Sequence, residues 1–260
     1  MVVVRMVAAR GTRALIRALV PPRIRKALLV RKYRGDRYEC PCCGLQFRQF
    51  WPSGVENTPN TLCPNCGSLQ RHRLLWLFFQ RNPSLLSSGQ RILHVAPEPI
   101  LERLLRSIPG VKYLSADLES PGAMVRMDLT RIPCPDDSFD GILCCHVLEH
   151  IPDDATAMRE LYRVLAPGGW AILQVPVKYH LARTYEDPSI TEPSARLAAF
   201  GQEDHVRVYG PDYVERLRSA GFLVEEISIQ EELGPELTER YCLQPDERVH
   251  LCRKEAAANP

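Results

Sequence analysis

No run of 18 apolar residues occurs in the 260-residue chain, so no membrane-spanning helix is expected. A secretory signal is also missing, because arginines interrupt every apolar stretch near the N-terminus. The ten cysteines are therefore read as thiols or metal ligands rather than disulfides, and a cytoplasmic setting is expected. Net charge is nearly absent: 33 basic and 31 acidic residues leave +2. That balance conceals a split. Residues 1–39 hold 9 Arg, 2 Lys and 2 acidic residues, a net of +9, and the remainder carries −7. An acidic body argues against phosphate-backbone binding by the main domain and points any anionic surface partner to the first 39 residues. With 45% hydrophobic and 25% charged residues the chain is globular, long enough for one large domain and a small appendage.

Four cysteines form two matched units, Cys40-Pro41-Cys42-Cys43-Gly44 and Cys63-Pro64-Asn65-Cys66-Gly67, with nineteen residues between Cys43 and Cys63. Two residues between cysteines let one tight turn aim both sulfurs at one point, and the following glycine permits positive φ. Two such turns facing each other give tetrahedral sulfur ligation, so Cys40, Cys43, Cys63 and Cys66 are expected to hold a structural zinc. Cys42 is the spare thiol of its turn. Cys144-Cys145 lies in an apolar run and is read as buried and inert.

The spacing predicts a basic amphipathic arm over 1–35, with short helices at 12–20 and 24–29 broken at Pro21-Pro22. Three readings compete for it: a helical arm packed on the body, a contact with the inner membrane face, and a nucleic-acid contact. The ribbon occupies 36–67 and a connecting helix 68–89, with Arg71, His72 and Arg73 as a solvated basic face or an anion contact. From residue 90 to 255 strands and helices alternate. Strands are expected at 91–96, 111–116, 139–147 and 170–177, and two late ones at 222–229 and 249–254 with little helical pattern between them. This rhythm predicts a parallel sheet with helices on both faces and an antiparallel late pair. Residues 178–210 are a long insertion of the kind that forms lids or substrate loops.

In open parallel sheets ligands bind beyond the carboxyl ends of the strands. That rule selects His94 to Glu98, Asp117, Asp128, His146 to His150 and Val175 to Lys178. Asp117, some twenty residues past the first strand, suits a ribose, although an Asp capping its own turn is the simpler reading.

The stretches MDLTRIPCPDDSFDGILCCHVLEHIPDD, ELYRVLAPGGWAILQVPV and RLRSAGFLVEEI resemble class I S-adenosylmethionine-dependent methyltransferases. The resemblance implies a Rossmann-like doubly wound α/β sheet of seven strands, here with a small N-terminal zinc ribbon, and S-adenosylmethionine as cofactor. It implies that Asp117 holds the ribose, Asp128 the adenine amino group and Leu129 the ring edge, with His146 near the methyl donor. His94, Ala96, Glu98 and Leu118 complete the implied cofactor set. One departure stands out. The family's Gly-x-Gly-x-Gly turn is replaced by His94-Val95-Ala96-Pro97-Glu98-Pro99-Ile100, without glycine. A C-P-x-C-G ribbon followed by C-G-S-L-x-R-H-R-L-L and a glycine-poor H/F-x-A-P-E turn is similar to a subgroup of bacterial methyltransferase-like proteins. In that subgroup Glu98 would meet the cofactor's ammonium, or the turn would have lost the cofactor.

Methyl transfer from a sulfonium is an in-line displacement governed by alignment; a base is needed only where the acceptor must lose a proton. His146, His150 and His205 are candidates. The alternation His205, Arg207, Tyr209 places three polar groups on one side of an extended segment, with Arg207 suited to a substrate carboxylate or phosphate. His146, His205, Arg207 and Tyr209 are thus the expected catalytic set, set against a solvated edge segment. The expected acceptor is a small molecule or a glycan- or lipid-linked group. RNA methylation through ribbon and arm, and a non-catalytic scaffold, are the alternatives; the few ribbon aromatics, Phe47, Phe50 and Trp51, disfavour nucleic acid.

Overall fold

A computed structural model describes residues 21–54 and 57–256. The helix expected at 12–20 lies outside the described residues. The next one forms: α1 (Pro22–Tyr33) begins at a proline, whose missing N–H costs nothing in a first turn. Its apolar residues Ile24, Leu28 and Leu29 are exposed rather than packed.

The described residues fall into two compact units. One runs through Leu74 and includes Leu233–Pro245; the other comprises Leu75–Glu232 and the chain from Asp246. The units do not divide at the boundaries 67/68 and 89/90 read from the sequence. Segment 233–245, placed by the sequence within the 90–255 domain, belongs to the ribbon unit.

In the ribbon unit, β1 (Arg34–Cys40) pairs antiparallel with β2 (Leu45–Phe47), and β3 (Trp51–Ser53) with β4 (Thr58–Leu62). Each hairpin ends in or encloses one cysteine turn. Tyr38, Phe47 and Phe50 are buried, with the two phenylalanine rings edge to face at 5.6 Å. They form the small core of this unit, and Trp51 sets its edge against Tyr33. Helix α2 (Gln70–Arg81) starts here. Its Arg73 is neither a solvated face nor an anion contact. The side chain is fully buried and donates to the carbonyls of Thr61, Ser68, Tyr241 and Cys242, with its guanidinium 4.8 Å from the Phe50 ring centre. Burial lowers its pKa. Four carbonyl acceptors on three chain segments make it the internal tie of the unit, replacing water as the group that solvates the charge.

The second unit holds a seven-stranded sheet. Its strands are β5 (Arg91–Val95), β6 (Lys112–Asp117), β7 (Val125–Arg126), β8 (Phe139–Cys145), β9 (Leu165–Gln174), β12 (Leu223–Ile227) and β13 (Val249–Arg253), in the order β12-β13-β9-β8-β5-β6-β7. The five from β7 to β9 are parallel, and β13 runs antiparallel between β9 and β12. This is the Rossmann-like doubly wound sheet with the antiparallel late pair that the sequence implied. Apolar residues on successive positions of β5, β8 and β9 are buried because helices cover both faces of a parallel sheet. Helix α3 (Pro99–Arg106) buries Ile100, Leu101 and Leu105, and α4 (Asp154–Val164) buries Ala157, Met158, Leu161 and Val164. Asp153 caps α4 by accepting from the Thr156 N–H at 3.0 Å. Gly141 on β8 has no room for a side chain: a Cβ there would lie 2.5 Å from the Trp170 ring.

The link between the late strands is not patternless loop. It carries α7 (Ile229–Arg240), broken at Gly234 (φ 75°, ψ 169°) ahead of Pro235. The insertion 178–210 holds β10 (Tyr185–Glu186) paired antiparallel with β11 (Arg207–Val208), and α5 (Pro193–Phe200) between them; α6 (Tyr213–Ser219) follows.

Candidate functional site

The cysteine turns are built alike. The Cys43 and Gly44 N–H groups both bond the Cys40 carbonyl, and the Gly67 N–H bonds that of Cys63, with φ of 67° and 74° at Gly44 and Gly67. The four sulfurs lie within 4.8 Å of one another. Cys40 and Cys66 Sγ are 3.5 Å apart, and Cys43 and Cys63 Sγ are 3.8 Å apart. A tetrahedral zinc with bonds of about 2.3 Å needs sulfur separations of about 3.8 Å, so the donor set fits that ion. No disulfide links any described cysteine. Cys42 turns away, its thiol donating to the His72 carbonyl at 3.6 Å. Cys144 is fully buried, and burial pushes its thiol pKa up, as an inert core thiol requires.

In the second unit the candidate site lies at the sheet's reversal point. Strand order turns round between β5 and β8, and the chain leaves both strands through a residue of positive φ: Ala96 at 47° and His146 at 55°. The Ala96 N–H bonds Ala116 O, and the His146 N–H bonds Gln174 O, each at 2.8 Å. The turn after β5 therefore keeps the left-handed backbone that a glycine would adopt, at some cost in strain. Glu98 is half-buried immediately before α3. His94 is fully buried, with Nδ1 2.9 Å from the Tyr113 hydroxyl.

Asp117 ends β6. Its Oδ1 accepts from the Glu119 and Ser120 N–H groups at 2.8 and 2.7 Å, so it does cap its own turn, and Oδ2 has no partner among the described residues. Leu118, Met124 and Val125 beside it are exposed apolar side chains, which is unusual for a surface strand end. Asp128 is exposed, and hydrogen bonds from the Thr130 N–H and hydroxyl hold its carboxyl below the usual range. The Leu129 side chain is buried in the core, which leaves only its main chain for a ring edge.

Beyond β8 the chain turns through a short 3₁₀ helix, Leu148–His150. His146 Nδ1 lies 3.3 Å from Glu149 Oε1. His146 Nε2 and Glu149 Oε2 are both buried and, among the described residues, without a hydrogen-bond partner. Sequence reasoning passed over Glu149, which is 1% exposed; the signal was the three-residue step from His146 in HVLEH, one turn of a helix. His150 Nδ1 pairs with Asp204 Oδ2 at 3.2 Å rather than with backbone, and its ring meets that of His205 edge to face at 4.7 Å. Burial lowers the pKa of His205.

Arg207 and Tyr209 require a correction. The alternation of the segment is real, but its polar side faces inward. Arg207 is 3% exposed, and its guanidinium is spent on Glu186 Oε2 (2.9 Å) and on the carbonyls of Leu148, Ile151 and Pro152. Tyr209 donates to Asp154 Oδ2 at 2.6 Å. Arg216 joins the same network through Asp154 and Glu186. Neither Arg207 nor Tyr209 is presented to a substrate; they fasten the insertion to the end of β8. The Val206 N–H, bonded to Glu149 O at 3.0 Å, adds to that attachment and brings His205 beside Glu149.

Residues 106–173 match the family model described as a methyltransferase domain. The matched segment is 68 of the 260 residues. It runs from the last residue of α3 through most of β9 and takes in Asp117, Asp128, His146 and Glu149, bearing out the resemblance read from the sequence. Over 108 residues the chain is 31% identical to a demethylmenaquinone methyltransferase of Streptomyces avermitilis, covering 36% of this chain and 47% of that one. Over 124 residues it is 34% identical to that of Mycobacterium marinum, covering 43% and 54%. The chain thus spans about half the length of these relatives. A solved S-adenosylmethionine-dependent methyltransferase from Mesorhizobium loti aligns at 20% identity and a TM-score of 0.43, over 66% of this chain and 96% of that one. Among the described residues no helix is long and apolar enough to cross a membrane.

Proposed function

We propose that the chain is an S-adenosylmethionine-dependent methyltransferase acting on a small molecule or a glycan- or lipid-linked acceptor. The observation that carries this reading is the pair of left-handed residues, Ala96 and His146, ending the two adjacent strands at which the sheet order reverses. Asp117 Oδ2 would take the ribose hydroxyls, with Leu118 as an apolar face beside it and Asp128 at the adenine end. Bound S-adenosylmethionine supplies an electrophilic methyl group. His146 is assigned the acceptor's proton: Glu149 beside Nδ1 favours the tautomer with its proton there, leaving Nε2 to accept. The relatives' printed name is that of enzymes acting on a small molecule, which supports the acceptor class. The net −7 of the chain beyond residue 39 does not favour RNA. Zinc on Cys40, Cys43, Cys63 and Cys66 has a structural part in this reading, since four thiolates leave no open position. The exposed Ile24, Leu28 and Leu29 among Arg23, Lys26, Arg31 and Lys32 support a membrane-surface contact for α1.

Calorimetry with S-adenosylmethionine and its demethylated product tests the reading. Binding of both by the wild type is expected, weakened about tenfold or more in Asp117→Asn, which keeps the turn-capping oxygen but loses the carboxylate. No binding of either by the folded wild type would leave the scaffold reading in its place.

A further inference from the structure

We propose that Glu149, His150 and His205 form a binding site for a divalent first-row transition-metal ion, separate from the four-cysteine cluster. A carboxylate oxygen of Glu149 and one ring nitrogen from each histidine all lie within 4.8 Å of one another. Two imidazoles and one carboxylate are a donor set of borderline softness that suits such ions and leaves coordination positions open. An ion with bonds of about 2.1 Å needs ligand atoms about 3.4 Å apart, so small side-chain rotations close the set.

Two further observations point to a cation here. The Glu149 side chain is 2% exposed, and among the described residues its Oε2 has no hydrogen-bond partner and its one ion-pair neighbour is His146. A buried carboxylate in that state is costly unless a cation offsets it. His150 also carries a charged partner outside the cluster. Asp204 Oδ2 lies 3.2 Å from His150 Nδ1. Metal-bound histidines are oriented in this way, with the far ring nitrogen donating to a carboxylate or carbonyl. The buried Arg207 anchor fixes the third ligand by holding the insertion at 148–152.

Metal binding here does not depend on the methyl-transfer reading. Its consequence does: open positions on the ion would take an acceptor oxygen next to His146.

The test is titration of the full-length protein with Co²⁺ and no other ligand, followed by absorption. Binding at this site gives weak ligand-field bands without a thiolate charge-transfer band, which distinguishes it from the cysteine cluster. One such equivalent is expected in the wild type, abolished in Glu149→Gln and His205→Ala. In Asp204→Asn, which keeps all three ligands, affinity falls about 10–100-fold. If the folded wild type binds Co²⁺ only with thiolate bands, or if folded Glu149→Gln and His205→Ala both bind as the wild type does, the site does not exist. Because the wild-type titration decides alone, a variant that fails to fold leaves the outcome intact. Calorimetry with S-adenosylmethionine is a separate readout, so failure of either proposal is seen by itself.

Discussion

Arg207 and Glu186 face each other across the β10–β11 pair, with Nε 2.9 Å from Oε2. The bond closes a network, buried at Arg207, Asp154 and Tyr209 and open to solvent at Glu186, that also holds Arg216. Arg207→Ala should cost roughly 3–5 kcal/mol, because it strips the donor from the carbonyls of Leu148, Ile151 and Pro152, while Arg216 still pairs with Asp154 and Glu186. Thermal unfolding should fall on the order of 10 °C. Arg207→Lys should recover only part, since one ammonium cannot reach four acceptors in a planar fork. An alanine variant melting with the wild type would return Arg207 to a substrate-binding role.

Ala96 holds a left-handed backbone that L-residues adopt at about 1–2 kcal/mol. Ala96→Gly should raise stability by about 0.5–1 kcal/mol, after the extra freedom glycine has in the unfolded chain. Ala96→Val should lower it. Urea midpoints of the two variants check the sign; a destabilised glycine variant would mean the turn carries no strain.

Asp140 accepts from the Arg91 backbone N–H, Nε and Nη2 at 2.8, 3.1 and 2.7 Å. The Arg91 guanidinium holds its carboxyl below the ordinary value near 3.8. The folded value being the lower one, this stabilisation is fully present above pH 3.8 and is lost as pH falls through the depressed value. Asp140→Asn should therefore lose stability near neutral pH and show a shallower decline in acid. Unfolding free energies from pH 7 to pH 3 measure both; parallel curves would sink the assignment.

Removing zinc from Cys40, Cys43, Cys63 and Cys66 should unfold the ribbon unit, whose core is little more than Tyr38, Phe47, Phe50 and Arg73. Hydrogen exchange after chelation should show loss of protection across β1 to β4. Cys63→Ser should reproduce this, and Cys42→Ser should not. Retained protection in the zinc-free protein would make the metal dispensable.

The parts of the fold legible in the sequence were those governed by short-range pattern. The strands at 91–96 and 139–147 stand within two residues of β5 and β8, because central parallel strands are continuous apolar runs. The cysteine turns were legible because ligand spacing is local chemistry. Polarity misled where burial was decided by partners far along the chain. Arg73 and Arg207 read as surface cations, but carbonyls from other segments replace water around both. Helix α7 was hidden by its Gly234-Pro235 break, which splits its periodicity. Glu149 was passed over because one of its neighbours, His205, reaches it only through the return of the insertion.

Arg73 also sets a clock. Its acceptors Tyr241 and Cys242 lie 168 and 169 residues further along the chain. At translation rates of about 5–20 residues per second, roughly ten to thirty seconds separate the synthesis of the guanidinium from that of its last two carbonyls. The ribbon is made early and finished late. Through that interval its nascent form depends on the thiolates and on the carbonyls of Thr61 and Ser68, and this is when metal delivery would matter most to the growing chain.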